Sequence, residues 1–204
     1  MIAASLALAI VSIPEAQLRE ITLTLEVRWE QQLSQAAREH LRTEVERILF
    51  CPNGSERIRL EWRAAGCEGL VLVTLMHRPA RKVITGCSRG LHDHRLGFTQ
   101  LSPPHVILWT EQVARAVTGA WGRARPPSVS DSLLGRALGR VLAHELGHLF
   151  LRLQTHRRTG LMRSSFAHGE LTARGRDAFR LSDEDLQGIW EGIETLQARR
   201  GRTP

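Results

Sequence analysis

Apolar and polar residues alternate from Ile21 to Val27, the period of a strand with one buried face. From Gln31 to Phe50 the period lengthens, and Leu33, Ala36, Ala37, Leu41, Val45 and Leu49 recur as the apolar stripe of a helix. Cys51-Pro-Asn-Gly54 stops that helix, because proline cannot continue it and Asn-Gly favours a turn. Ile58–Trp62, Leu70–Leu75 and His105–Trp109 read as further short strands. Between His77 and Ser102 the chain is broken by Pro79, Gly86, Gly90 and Gly97 and reads as loop, with a brief strand over Leu96–Thr99. Glu111–Ala120 has the pattern of a short helix.

Ser130-Asp131-Ser132 is a cluster of helix N-cap residues, and it introduces a long helix from about Leu133 to Leu153. Leu134, Leu138, Val141, Leu142, Leu149 and Phe150 supply its apolar contacts. Gly135, Gly139 and Gly147 each cost about 1 kcal/mol of helix propensity relative to alanine, a cost that points to close packing against another backbone. A last helix is predicted from about Ser182 to Ala198, with Ser182 and Asp185 forming a near capping box at its start. No internal repeat or low-complexity tract is present.

Composition sets bounds on this picture. The 204 residues suit one domain, with 42% hydrophobic and 24% charged residues, as in an ordinary globular chain. The net charge of +7 comes almost entirely from arginines spread along the chain, the densest groups being Arg78–Lys82, Arg123–Arg125 and Arg199–Arg202. Scattered arginines without interleaved aromatics describe a solvated surface better than a nucleic-acid interface, and leave room for anionic partners or acidic substrates. Cys51, Cys67 and Cys87 form no C-x-x-C pair and no disulfide scaffold; one bridge with one free thiol is open if the protein is exported. Residues 1–20 open with an apolar run, Met1 to Ile13, too short to span a bilayer. It has the length of a signal-peptide core without a preceding Lys or Arg, so a signal-peptide remnant and a buried N-terminal segment both remain open. The remnant reading would favour a secreted or periplasmic protein.

The chemistry concentrates in His144-Glu145-Leu146-Gly147-His148, an HExxH motif inside the long helix. Two histidines four apart on a helix differ by about 40° in direction and about 6 Å along the axis, so both imidazoles can meet one zinc ion. Glu145 points about 100° away, on the flank of that face, where its carboxylate can reach a zinc-bound water instead of the metal. The motif's other features agree with a buried active-site helix, since Val141–Leu151 holds no charged residue outside the motif.

The segment Ala143–His156 followed by Thr159-Gly-Leu-Met-Arg163 resembles the zincin metallopeptidases, and within them the metzincin-like branch. It looks like an uncharacterised bacterial group with HELGHLLL, a following His and then GIMR. The resemblance implies an α+β fold over residues 21–204, with a twisted mixed β-sheet packed on a long helix, an active-site helix and a C-terminal helix. It implies Zn2+ held by His144 and His148, Glu145 as base, and Met162 in a turn beneath the metal. Metzincins continue as HExxHxxGxxH, but Leu151 and Gln154 stand at those two last places here. His156 is therefore a third ligand only if the helix ends and the chain turns near Leu153–Thr155; on an unbroken helix it would lie about 12 Å beyond His148. His168 and Glu170 are the alternatives. His92-Asp93-His94 is a weaker candidate, and better read as a solvated loop. The chain has no tyrosine to steady an oxyanion, leaving His168 or an arginine for that role. Zincins hold peptides along an exposed edge strand, which would fall here between Cys87 and Gln100.

The function expected is hydrolysis of peptide bonds in a protein or peptide substrate by a zinc metalloendopeptidase. A catalytically inactive zincin-like binding protein and a basic nucleic-acid-binding domain are the competing readings.

Overall fold

The computed structural model describes residues 19–30, 32–49, 56–77, 95–121, 128–153, 155–167, 169–175 and 179–201. The whole apolar N-terminal run, Cys51, Cys87, His92-Asp93-His94, Gln154 and His168 lie outside these residues. The order of elements is β1 (Arg19–Trp29), α1 (Gln35–Leu49), β2 (Glu56–Ala64), β3 (Val71–Met76), β4 (Gly97–Leu101), β5 (Pro104–Trp109), α2 (Thr110–Thr118), α3 (Asp131–Leu151) and α4 (Asp183–Arg200). The class is mixed α+β, a five-stranded mixed sheet with four helices. No helix among the described residues is long and apolar enough to cross a membrane.

The strands lie in the order β2-β1-β3-β5-β4, with the first four parallel and β4 antiparallel to β5 at one edge. The alternation read at Ile21–Val27 becomes a single buried row: Ile21, Leu23, Leu25 and Val27 are buried. Register continues the row across the sheet, pairing Leu25 with Val71, Val73 with Val106 and Leu75 with Leu108. A one-residue slip would turn this whole row to the other face, so burial fixes the register. In α1 the buried face is Ala37, Leu41, Glu44, Val45, Ile48 and Leu49. Ala36, expected in the stripe, is exposed, and Glu44 takes an inward place instead.

Glu44 is inside because Arg140 of α3 meets it there. Arg140 is 1% exposed, and its Nε donates to Glu44 Oε1 at 2.6 Å. Its remaining donors go to backbone carbonyls: Nη1 to Glu170, and Nη2 to Ala173 at 2.6 Å and Gly175 at 3.2 Å. The guanidinium also lies 4.2 Å from the Phe179 ring centroid. Burial alone would raise the Glu44 carboxyl, but the hydrogen bonds from Arg47 and Arg140 overcome it and hold the group below its ordinary value. The result ties α1, α3 and the 169–175 segment together beneath the site.

The helix glycines account for how closely α3 sits. A Cβ on Gly135 would strike the Ala37 carbonyl, and one on Gly139 the Leu41 carbonyl and Glu44, each under 3.0 Å. Two glycines thus let the α1 and α3 backbones approach. Ser182 caps α4, accepting from the Asp185 N–H at 3.1 Å as the sequence predicted.

Candidate metal centre

The long helix ends at Leu151, two residues before the turn foreseen at Leu153–Thr155. Arg152 takes a left-handed conformation at the C-cap of α3, φ 51°, and redirects the chain. Glycine is the usual residue for such a cap, which is why Arg152 gave no turn signal in the sequence. A tight loop follows, closed by the Arg157 N–H donating to the Met162 carbonyl at 2.8 Å, and by Gly160 at φ 73°. This return brings His156 back beside the helix.

Three imidazoles then converge. Nε2 of His148 lies 3.0 Å from Nε2 of His144 and 3.3 Å from Nε2 of His156. One ligand atom from each of the three falls within 4.8 Å of the others, the one such group of three among the described residues. Bonds of about 2.0–2.1 Å to a tetrahedral zinc would set neighbouring nitrogens about 3.3 Å apart, so the spacing fits such an ion. His144 is 8% exposed, His148 is half-buried and His156 is exposed, so the triad opens to solvent on the His156 side.

Proton placement gives the stronger test of fit. Nδ1 of His144 is 2.7 Å from the Leu161 carbonyl, and Nδ1 of His148 is 2.7 Å from the Leu153 carbonyl. A carbonyl only accepts, so each Nδ1 carries the hydrogen and each neutral ring presents a bare lone pair on Nε2. Lone pairs 3.0 Å apart repel unless a cation lies between them. Burial holds His144 down, to about 4, with further lowering from His148 and His156 against the raising effect of the Leu161 bond. Burial lowers His148 as well. Neutral, oriented imidazoles are the protonation state that metal binding requires.

Met162 packs against Gly147, the residue before His148. It is 1% exposed, and a Cβ on Gly147 would land on its sulfur, under 3.0 Å away. The third glycine of α3 therefore makes room for a methionine side chain, whereas the other two accommodate backbone. Phe166 closes another side, edge-on to His144 with centroids 5.9 Å apart and stacked on Phe179 at 4.8 Å.

Glu145 is held against β4. Its carboxylate Oε2 is 2.6 Å from Thr99 Oγ1, and the same hydroxyl is 2.9 Å from the Glu145 carbonyl oxygen. Gly97 is tight against it too, since a Cβ there would be 3.0 Å from Glu145 Cγ and Oε1. Burial pushes the Glu145 carboxyl up to about 7, against the lowering effects of Thr99 and Arg95. A carboxyl poised near neutrality can accept and return a proton, the property a general base and acid needs.

Of the alternatives for a third ligand, Glu170 is engaged elsewhere: its carboxylate pairs with Arg163 at 2.6 Å and accepts from the Ala167 N–H. His168 lies outside the described residues. Thr99, Gly97 and Phe166 were missed as site residues in the sequence. Thr99 and Gly97 fell in the short strand within the region read mainly as loop, and only pairing with β5 places them over Glu145. Cys67 is exposed and takes no part. Compared with known proteins, the chain matches no family model and no curated protein.

Proposed function

We propose that this chain is a zincin-like, zinc-dependent metallopeptidase of the metzincin type. His144, His148 and His156 would hold the metal, and Glu145 would be the catalytic base. The observation that carries the reading is the pair of Nδ1–H bonds to Leu161 and Leu153, which turns two Nε2 lone pairs onto one point. A zinc ion at that point would act as a Lewis acid, lowering the pKa of a coordinated water and polarising a carbonyl.

The protein's own groups supply the rest. Glu145 takes the proton of the attacking water and hands it to the leaving amine as the peptide bond breaks. Thr99 and Gly97 hold its carboxylate against β4. Among the described residues that strand is last in the sheet order, and an outer edge of that kind offers backbone donors and acceptors to an extended peptide. Phe166 packs edge-on against His144, and Met162 packs against Gly147 beside His148.

The test is metal content of the purified chain by elemental analysis, beside His144→Ala, His156→Ala and Glu145→Ala, with turnover of a quenched peptide library. About one zinc per chain is expected, lost in both histidine variants and kept in Glu145→Ala, which should lose hydrolysis. Wild-type protein that binds no zinc even when it is added back would end the reading. Stoichiometric zinc without turnover would favour a zincin-like binding protein, a reading to which the absence of tyrosine also lends support.

A further inference from the structure

The band of chain that frames the histidines carries charge of one sign. Residues 152–163 contain Arg152, Arg157, Arg158 and Arg163 and no acidic residue. Each lies within two residues of one that builds the centre. Arg152 precedes Leu153, whose carbonyl orients His148; Arg157 and Arg158 follow His156; Arg163 follows Met162. Two of these arginines are neutralised. Arg157 pairs with Asp185 at 2.7 Å and reaches the exposed Glu184 at 3.9 Å, and Arg163 pairs with Glu170 at 2.6 Å. Arg152 and Arg158 are exposed, and neither side chain has a hydrogen-bond or ion-pair partner among the described residues. Arg95, at the entrance to β4, is exposed as well. The only acids from Ser132 to Gly175 are Glu145, which is buried, and Glu170, which is already paired.

Exposed positive charge close to a site raises the local concentration of oppositely charged ligands. We propose that Arg152 and Arg158 select acidic peptides, in which Asp or Glu residues flank the bond presented to the His144–His148–His156 centre. Cleavage of such a peptide rests on the metallopeptidase reading; its capture rests on the arginines alone. A peptide is favoured over a nucleic acid because single-stranded nucleic acids are held by stacking on free aromatic faces. Residues 152–163 contain no Phe, Trp or Tyr, and Phe166 just beyond them is already stacked, with Phe179 at 4.8 Å and the Arg163 guanidinium at 4.7 Å from its ring centroid. The neighbouring β4 edge also suits an extended chain.

The experiment measures binding apart from turnover. Zinc-loaded full-length chain carrying Glu145→Gln, which prevents cleavage, is titrated into two fluorescein-labelled peptides that differ only in Glu or Lys at alternate positions. Fluorescence anisotropy at low salt should show the Glu peptide binding about tenfold tighter or more, with the difference shrinking as NaCl is raised. Arg152→Glu with Arg158→Glu should weaken that binding about tenfold with zinc content unchanged, and the milder Arg152→Gln with Arg158→Gln should fall between. Equal affinities, or full binding in the charge-reversed variant, would overturn the proposal. So would an oligonucleotide that displaces the Glu peptide at lower concentration than the unlabelled peptide does. Cleavage by wild-type protein is scored separately: preference without cleavage rejects the peptidase reading alone, and cleavage without preference rejects only the role of the arginines.

Discussion

The Thr99 hydroxyl touches Glu145 twice, at 2.6 Å from its Oε2 and 2.9 Å from its own carbonyl oxygen. One hydroxyl hydrogen can serve only one acceptor at a time, and the two contacts suit the two states of the carboxyl. With Glu145 ionised, Thr99 donates to Oε2. With Glu145 protonated, the carboxyl donates to Thr99 Oγ1, which passes its own hydrogen to the carbonyl. The same side chain thus holds the carboxyl through both halves of a proton-transfer cycle.

Thr99→Val keeps the shape and removes both options. Its kcat on any peptide the wild type cleaves should fall by about tenfold to a hundredfold, with zinc content unchanged. Thr99→Ser should recover most of it. A valine variant with wild-type kcat would show that Thr99 serves packing only.

The raised Glu145 carboxyl has a consequence for the metal-free protein. Its folded pKa of about 7 exceeds the ordinary 4.5, so between those values the folded chain keeps a proton that the unfolded chain releases. Stability from this group therefore falls as pH rises through that window, and the loss is complete above about pH 7. Glu145→Gln has no such loss. In urea unfolding of chelated protein, the variant's advantage should grow by on the order of 3 kcal/mol between pH 4.5 and 7.5. His144 shifts the opposite way, but it is common to both proteins and cancels. A difference that stays constant with pH would count against a raised Glu145.

The Glu44–Arg140 pair should behave as a buried ion pair does. Glu44→Ala strands a guanidinium whose side chain has no exposure, and should cost about 3 kcal/mol in urea unfolding. Glu44→Leu with Arg140→Met should recover much of that loss at the pair, while still losing the carbonyl bonds to residues 170, 173 and 175. If Glu44→Ala alone is neutral, the pair is not desolvated as described.

What the sequence shows of this molecule follows from what is periodic. The strands at Ile21–Val27 and His105–Trp109 and the long helices were legible because burial writes its period into neighbouring residues. His144, Glu145 and His148 were legible for the same reason, since helix geometry alone brings i and i+4 together. His156 was visible only conditionally. Its position depends on a left-handed Arg152, a conformation that no arginine advertises. Glu44 was hidden because its partner lies 96 residues away, and a charged residue among helix charges reads as surface. Thr99 was hidden because strand pairing, not local pattern, carries it to Glu145.

The backbone carbonyls of Leu153 and Leu161 do more than choose a tautomer. Both belong to the return of the chain after α3, so the same stretch of backbone that follows the end of the helix also aims the two rings. A lengthened or shortened return would misdirect both histidines at once while leaving every residue of the HExxH motif untouched.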